Sequence, residues 1–411
     1  MENPKPPLPA LPALAACLVG LGALAGCGGK APPATPAPAA RAAEAPPKSP
    51  RCEVAIAREA DASTLQAMRL SALDGRYEGT MLAAGAPKVE AQTNDEGLAI
   101  ATVDVPIGAS EPVRCSVSPG RADASRFFAH FLGLVAAEAP EVHVAAYASG
   151  PVIFARARYT ATTKEGRAVG LLKMAVAPRG IGSIACVHDE VGYVRSFERV
   201  FTSAVEGRTS PSEAPGDTFV DVAKVSEASR PVGFVETRVR AGAAGGRESS
   251  ESFVGLVKTD RGYAFLEGIT ITRLDKKGEL SELRYVHLVN GAVLDVVRVE
   301  RGASGYTYSG EHEGKTISGP VATKGPLTSW LGQLDAIRAF QRSDKKELRY
   351  TAIDDTEAPV ASEIVLRKEG GKLVKHEGKH HAEITLDDKG VVARSVRGNL
   401  ELVRLFSRGA P

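Results

Sequence analysis

Short segments in which apolar and polar residues alternate dominate the second half of the chain. From Phe219 onward they recur between turn signals, as in 232–240 (VGFVETRVR) and 280–289 (LSELRYVHLV). A period of two places every second side chain on one face, which is typical of a half-buried β-strand. Asn290-Gly291 is the strongest hairpin signal in the chain. The pattern predicts a long antiparallel meander, which at this length must curl or close.

One segment of the second half has helical spacing instead. Residues 327–340 (LTSWLGQLDAIRAF) place Trp330, Leu334 and Ile337 on one stripe, as expected for a helix with one buried face. Alternating segments resume at 347 and continue towards the C-terminus. We therefore predict that residues 218–411 form a β-rich domain, a curled antiparallel meander with one helix.

The first half mixes two periodicities. Helical spacing is found at 62–73, after Asp123 and at 193–204, whereas strand-like segments lie between them. These strand-like segments are 97–106, 112–118, 152–161, 168–176 and 181–188. Two to three helices packed on an antiparallel sheet make an α+β arrangement. We predict an α+β domain over residues 51–207 and a polar, Pro-containing linker at 208–217, so the predicted fold class of the chain is α+β.

The N-terminus carries an apolar run from about residue 11 to residue 25. It is shorter than the ~20 residues that a membrane-spanning helix needs, so it fits a secretory signal better than an anchor. The run ends in Leu24-Ala25-Gly26-Cys27, which resembles the lipobox of bacterial lipoproteins. The resemblance implies a signal peptide at 1–26 and a lipid on Cys27. A soluble secreted protein cut near Ala25 is the alternative.

Ala and Pro make up fifteen of the 23 residues from 28 to 50. Such a segment cannot bury a core, and its prolines favour extended polyproline II, so residues 27–50 are predicted to form a disordered tether. Gly28 follows the cysteine. An Asp at this position would resemble the signal that retains lipoproteins in the inner membrane of enteric bacteria. We expect a protein of the cell envelope, anchored by lipid in the outer membrane and facing the periplasm.

The remaining composition excludes one class of partner. The formal net charge is +2, and 24% of residues are charged without a long run of one sign, so there is no electrostatic footprint for nucleic acid. The segment after the tether is about 360 residues long, enough for two domains of ordinary size.

Three cysteines follow the lipobox. In an oxidising compartment one disulfide and one remaining thiol are expected. Cys115 and Cys186 both lie in strand-like segments, which makes them the favoured pair, with Cys52 the second choice for either. Cys186 and His188 would share a strand face, as a catalytic Cys-His pair requires. The alternative is a structural disulfide beside a surface histidine.

The segment 375–381 (KHEGKHH) contains His376-Glu377-x-x-His380, the pattern of zinc peptidases. That chemistry needs a helix, because only there do both imidazoles point at one metal. Gly378 interrupts the segment and the residues that follow alternate at strand period, which favours a solvated hairpin or adventitious metal binding. Glu401 could be the third ligand, but little chain follows it. We predict no metal, no cofactor and no catalytic residue.

Two regions resemble known families. Residues 185–201 (ACVHDEVGYVRSFERVF) and the meander before them resemble the Mog1/PsbP-like α+β domains of some envelope lipoproteins. The curled sheet with one helix resembles the LolA/LolB-like half-barrels of lipoprotein carriers. In those carriers an apolar concave face holds acyl chains; the side chains that could line such a face here are Phe234, Phe253, Phe265, Tyr285 and Trp330. An ordinary core is the alternative for these side chains.

The expected function follows from the predicted cellular location and fold. We expect a lipid-anchored envelope protein that is a non-catalytic binding or structural module, with a possible apolar ligand or lipoprotein partner. The alternatives are a periplasmic hydrolase, metal-dependent through 376–380 or based on a cysteine, and a scaffold in envelope assembly.

Overall fold

The structure is a computed structural model that describes residues 65–409 with short gaps. The gaps are 74, 76, 94–98, 109–110, 119–125, 129–130, 132–135, 148–149, 164–165, 177–181, 189–192, 208–215, 260–261, 324, 355–358, 371 and 379. Cys27, the tether, Cys52 and most of the predicted linker therefore lie outside the described residues.

The predicted α+β class is wrong, because the described chain is mostly β-strand. It contains twenty-three strands, β1 to β23, and two α-helices of more than ten residues. The helices are α1 (Val194–Glu206) and α2 (Trp330–Gln341). Among the helices in the described residues, none is long and apolar enough to cross a lipid bilayer.

A predicted helix at 62–73 is replaced by a two-stranded hairpin. β1 (Gln66–Ala72) pairs antiparallel with β2 (Tyr77–Ala83). Leu70 and Ala72 are buried and the residue between them is exposed, which is strand periodicity. The spacing of Leu65, Met68 and Ala72 is compatible with a helix. The segment is a strand because its backbone hydrogen bonds are made with β2.

The next seven strands form one antiparallel sheet in the order β3-β4-β5-β9-β8-β7-β6. Its members are β3 (Lys88–Thr93), β4 (Ala99–Val105), β5 (Val113–Ser118), β6 (Ala136–Tyr147), β7 (Gly150–Thr163), β8 (Gly166–Val176) and β9 (Ser183–His188). Of the helix predicted after Asp123, residues 126–128 and 131 are helical, and the chain is already in β6 by residue 136.

One face of the seven-stranded sheet is covered by α1 and the β1-β2 hairpin. Phe197, Val200 and Phe201 of α1 are buried in one core with Met81 of the hairpin and Val103 of the sheet. The amphipathic stripe of α1 at 193–204 therefore faces the sheet, as its spacing requires.

The rest of the chain forms a fourteen-stranded antiparallel sheet in the order β17-β16-β15-β14-β13-β12-β11-β10-β23-β22-β21-β20-β19-β18. Its first eight strands are β10 (Asp217–Glu227), β11 (Arg230–Ala241), β12 (Arg247–Thr259), β13 (Gly262–Leu274), β14 (Leu280–Val289), β15 (Ala292–Gly302), β16 (Gly305–His312) and β17 (Lys315–Val321). The last six are β18 (Glu347–Asp354), β19 (Val360–Glu369), β20 (Lys372–Glu377), β21 (His380–Leu386), β22 (Val392–Arg397) and β23 (Leu400–Gly409). The two strands that come first and last along the chain, β10 and β23, are neighbours in the middle of the sheet and pair with each other.

Helix α2 lies between the two edge strands of this sheet, β17 and β18. Val321 at the end of β17 and Ile353 in β18 share one buried core with Leu331 of α2. Just before the helix, Thr328 makes an isolated parallel bridge with Ala352. Both edges thus meet the same segment, so the sheet curls round α2 and has an inner and an outer face.

The outer face of β11–β13 is covered by the seven-stranded sheet. Phe234, Val254 and Phe265 pack in one core with Phe127 and Phe128. The rings of Phe128 and Phe265 stack, with centroids 4.6 Å apart. These contacts join the two large sheets through an aromatic core.

Candidate functional site

Two of the predicted cysteine partners are joined in the structure. Cys115 on β5 lies opposite Cys186 on β9, and their sulfurs form a disulfide with an S–S distance of 2.08 Å. This is the pair favoured by the sequence analysis. Both residues are fully buried, and His188 nearby lies with its Nε2 3.2 Å from the carbonyl oxygen of Glu111. In this state Cys186 has no thiol for nucleophilic chemistry.

The HEGKH segment is a β-hairpin. β20 ends at Glu377, β21 begins at His380, and these two residues lie opposite each other. His376 Nε2 is 3.2 Å from Glu369 Oε1, and Glu401 Oε1 accepts a hydrogen bond of 2.7 Å from Arg394. Within the described residues no group of three or more His, Cys, Asp or Glu side chains could hold a metal ion.

The five aromatic residues predicted to line one concave face do not share a face. Phe234 and Phe265 are on the outer face, in the core with Phe128. Phe253 and Tyr285 are buried in the inner cores. Trp330 begins α2, and its side chain lies outside the described part. Because strand neighbours alternate between faces, a set chosen for aromatic character alone mixes the two sides.

A cavity of about 70 Å³ lies between the inner face of the curled sheet and α2. One part of its wall is apolar and comes from both the sheet and the helix: Ala223, Val235, Leu334, Ile337, Ile384, Val392, Ala393 and Leu402. The other part is polar: Asp221, Thr237, Glu251, Gln333, Arg394, Ser395 and Arg404. A cavity with an apolar wall and a few convergent polar groups is the usual form of a ligand site.

The polar part of the wall is organised by Arg404. Its Nε lies 2.7 Å from Asp221 Oδ1, and its Nη1 donates to Asp387 Oδ2 at 2.6 Å. Its Nη2 donates to the backbone carbonyl of Val392. One guanidinium group is therefore shared between two carboxylates, and burial raises the pKa of Asp221 to about 6 although Arg404 acts in the opposite direction.

Two further groups at the cavity are neutral. Ser395 is 2% exposed, and its Oγ has no hydrogen-bond partner among the described residues. Gln333 of α2 accepts a hydrogen bond through Oε1 from the hydroxyl of Tyr350, at 3.3 Å. The cavity thus carries a buried hydroxyl group whose hydrogen-bonding capacity is unused.

A second polar cluster lies on the inner face, on β14–β16. His287 Nδ1 is 2.8 Å from Asp295 Oδ2, and His312 Nδ1 is 2.6 Å from Asp295 Oδ1. His287 and Asp295 are both buried, and His287 Nε2 has no hydrogen-bond partner in the described chain. The carboxylate orients both imidazoles through Nδ1.

Sequence reasoning missed the residues of the cavity. Asp221, Glu251 and Arg404 are charged residues at inward positions of strands whose neighbouring inward positions, such as Val225 and Phe253, are apolar. A charge at an inward position was the available signal. Which charged residues face inward could be recognised only from the pairing of the strands. Asp221 and Arg404 lie on β10 and β23, which are far apart in sequence but pair in the sheet.

No protein-family model matches the sequence, and no curated protein matches it. Among solved structures, the chain is similar to the crystal structure of a β-barrel-like protein of domain of unknown function DUF1849 from Brucella abortus. The sequence identity is 11%, and the match covers 48% of this chain and 100% of that chain, with a TM-score of 0.36. A likeness of this degree carries no argument about the present chain.

Proposed function

We propose that this protein is a lipid-anchored, non-catalytic binding module of the cell envelope, which holds an apolar ligand between its curled sheet and α2. The observation that carries the proposal is the cavity beneath α2, with an apolar wall supplied by both elements. The Leu24-Ala25-Gly26-Cys27 sequence supports the anchor, and the Ala/Pro-rich tether supports a folded part held away from the membrane.

The apolar part of the wall gives a ligand its binding free energy. An apolar group that enters the cavity removes its own surface and the facing side chains from water, which contributes roughly 25 cal/mol for each Å² buried. The cavity takes only the end of a longer apolar chain, so such a ligand requires α2 to move away from the sheet.

Lipid analysis of the purified protein tests the ligand. We expect lipid to co-purify and fatty-acid probes to raise the melting temperature. The variant Ala223→Phe places a ring in the cavity and should abolish both effects. Ala241→Phe, at an exposed position of β11, is the matched control and should retain them. Absence of lipid together with no response to fatty acids would contradict the proposed ligand.

Fractionation of cells tests the anchor. The wild-type protein should be found in the membrane fraction, and Cys27→Ala should release it into the soluble fraction, because the attachment site for the acyl chains is lost. Acyl chains on the N-terminal peptide should be visible by mass spectrometry. An unmodified N-terminus downstream of a cleavage near Ala25 would show a soluble secreted protein instead.

A panel of hydrolase substrates tests the non-catalytic part. We expect no turnover by the wild-type protein. His376→Ala is the informative variant, because His376 belongs to the zinc-peptidase pattern and its side chain on the hairpin is only half-buried. Turnover by the wild type that disappears in His376→Ala would identify a hydrolase and overturn the proposal.

A further inference from the structure

We propose that Ser395 and Arg397 on β22 bind the carboxylate group of a fatty acid whose alkyl chain lies in the cavity under α2. The inference rests on the proposed function in using the same cavity, and it adds the chemical class of the polar end of the ligand. It is carried by three buried atoms that have no hydrogen-bond partner among the described residues: Oγ of Ser395, and Nη1 and Nη2 of Arg397.

Both side chains lie on the inner face of the curled sheet. Ser395 pairs with Leu402 of β23, and Leu402 pairs with Val225 of β10, which belongs to an inner core. Arg397 is two residues further along β22 and pairs with Leu400. Residues two apart on a strand point to the same side, with their Cα atoms about 6.6 Å apart. The hydroxyl and the guanidinium can therefore donate to one ligand group.

The guanidinium of Arg397 favours an anionic ligand. It carries only hydrogen-bond donors and stays positively charged at any ordinary pH. Arg397 as a whole is half-buried, but its Nη1 and Nη2 are both shielded from solvent. A buried charge without a partner is costly. The planar fork of a guanidinium matches the two oxygens of a carboxylate, so a bound carboxylate compensates this charge.

Other charged groups on this part of the inner face have partners. Glu227 on β10 lies in the same row as Arg397, two strands away, and its Oε1 accepts a hydrogen bond of 3.3 Å from Asn399. Lys375 Nζ lies 3.6 Å from Glu377 Oε2. Arg397 differs from them because, within the described chain, its terminal nitrogens have none.

The acidic residues of the cavity lie at its other end. Asp221 and Glu251 belong to one row across β10–β12. Val225, which shares a row with Leu402 and Ser395, is four residues further along β10, or roughly 13 Å at 3.3 Å per residue. Arg397 lies beyond that row. A carboxylate bound at Ser395 is therefore well separated from both acidic side chains.

The wall between these two ends accepts an alkyl chain. Ser395 lines the cavity together with the apolar side chains of Leu402, Val235 and Leu334, the last of which belongs to α2. A carboxylate held at Ser395 places the adjoining carbons of its ligand against these side chains. The ligand class is thus a fatty acid, with its acid group at β22 and its chain directed towards α2.

Calorimetric titration of the full-length protein in detergent tests the inference, with hexanoate at pH 8 as the probe and detergent alone as the blank. We expect saturable binding of hexanoate. Hexanamide, which has the same shape without the charge, should bind at least tenfold more weakly, and hexylamine should not bind. Hexyl phosphate is titrated in parallel. Tighter binding of hexyl phosphate than of hexanoate would assign the guanidinium to a phosphate head group and overturn the carboxylate.

Variants locate the binding. Arg397→Gln should weaken hexanoate at least tenfold, and Ser395→Ala about threefold. Arg230→Gln is the matched control, because it makes the same change at an exposed position of β11, and it should bind as the wild type does. Without ligand, Arg397→Gln should melt at a temperature no lower than the wild type, because it removes a buried charge that has no partner.

Three results would overturn the inference: equal affinity of hexanoate for the wild type and Arg397→Gln, hexanamide binding as tightly as hexanoate, or a lower melting temperature for ligand-free Arg397→Gln. If lipid co-purifies with the wild type and with Arg397→Gln alike while hexanoate fails to bind, the carboxylate site is wrong and the proposed function stands. If neither lipid nor hexanoate binds, both proposals fail.

Discussion

The seven-stranded and the fourteen-stranded sheets bury their faces in different ways. The seven-stranded sheet is covered by other elements: α1 and the β1-β2 hairpin on one side, and the outer face of the second sheet on the other. It also carries the disulfide. The fourteen-stranded sheet covers its own inner face by curling round α2. Burial of the smaller sheet therefore depends on the elements packed against it. Burial of the inner face of the larger sheet depends on the register of its own strands, which sets its curvature.

Charge pairs between neighbouring strands of the larger sheet form only in the correct register. Glu282 on β14 pairs with Arg273 on β13, with Arg298 on β15 and with Arg284 of its own strand. Burial alone would raise the pKa of Glu282, but these arginines hold it below its ordinary value. Such pairs link strands that no disulfide joins, because the only cystine among the described residues belongs to the smaller sheet.

Removing the disulfide should have the largest effect. The double variant Cys115→Ala, Cys186→Ala releases a loop of 71 residues, which costs roughly 4 kcal/mol of the free energy of unfolding. Hydrogen exchange should show protection lost in β4, β5 and β9 and retained in β18–β23. Equal losses in both sheets would show that they unfold as one unit and would remove the contrast.

Cutting the aromatic contact between the sheets should come next. Phe128 is fully buried and stacks on Phe265. Phe128→Ala should lower the free energy of unfolding by about 3 kcal/mol and separate the unfolding transitions of the two sheets in a denaturant titration. Phe406→Ala, at a position 45% exposed on β23, is the control and should change little. A single transition in Phe128→Ala would count against this contact as the coupling.

The inner polar site gives a smaller, pH-dependent effect. The pKa of Asp221 is raised in the fold to about 6, so between pH 4 and 6 the folded chain holds more protons than the unfolded chain. The contribution of Asp221 to stability is therefore greatest below pH 4 and falls as the pH rises to 6. Relative to Asp221→Asn, the wild type should lose on the order of 2 kcal/mol over that range.

Urea unfolding of both proteins from pH 4 to pH 7 measures this difference. Asp388→Asn, which alters an exposed carboxylate of the same sheet, should run parallel to the wild type across the series. Parallel curves for Asp221→Asn as well would mean that Asp221 titrates in its ordinary range.

The outer charge pairs should have the smallest effect. Glu282→Gln weakens three arginine contacts on partly exposed side chains, and should cost about 0.5–1 kcal/mol at low ionic strength and less in 1 M NaCl. Glu300→Gln, which loses one partner, should cost less. A cost for Glu282→Gln that is unchanged by salt would indicate packing and not charge as the source.

Local patterns in the sequence predicted individual strands correctly. They failed where the secondary structure of a segment depends on which strand it pairs with. The Asn290-Gly291 hairpin is confirmed, since both residues have positive φ and Val289 pairs with Ala292. The helix predicted at 62–73 is wrong, because the apolar residues there fit either period and the choice depended on a partner strand. The α+β class is wrong for the same reason.

The cavity could not be predicted from local spacing. Asp221 and Arg404 meet because β10 pairs with β23, with a register shift between Val222 and Ala223 that fixes which residues face inward. No motif signals such a shift. The zinc-peptidase pattern at His376 and His380 lies on a hairpin, since Gly378 adopts a left-handed conformation that a turn requires.

The pairing of β10 with β23 also has a consequence for how the chain folds. Val220 pairs with Arg408, so β10 leaves the ribosome long before its partner strand has been synthesised. Until then one edge of β10 carries unpaired backbone groups, and unpaired edges are templates for association with other chains. Contacts between residues so distant in sequence form slowly. Until β23 has paired, the chain would therefore benefit from a holdase, and truncation before β23 would leave a species prone to aggregate.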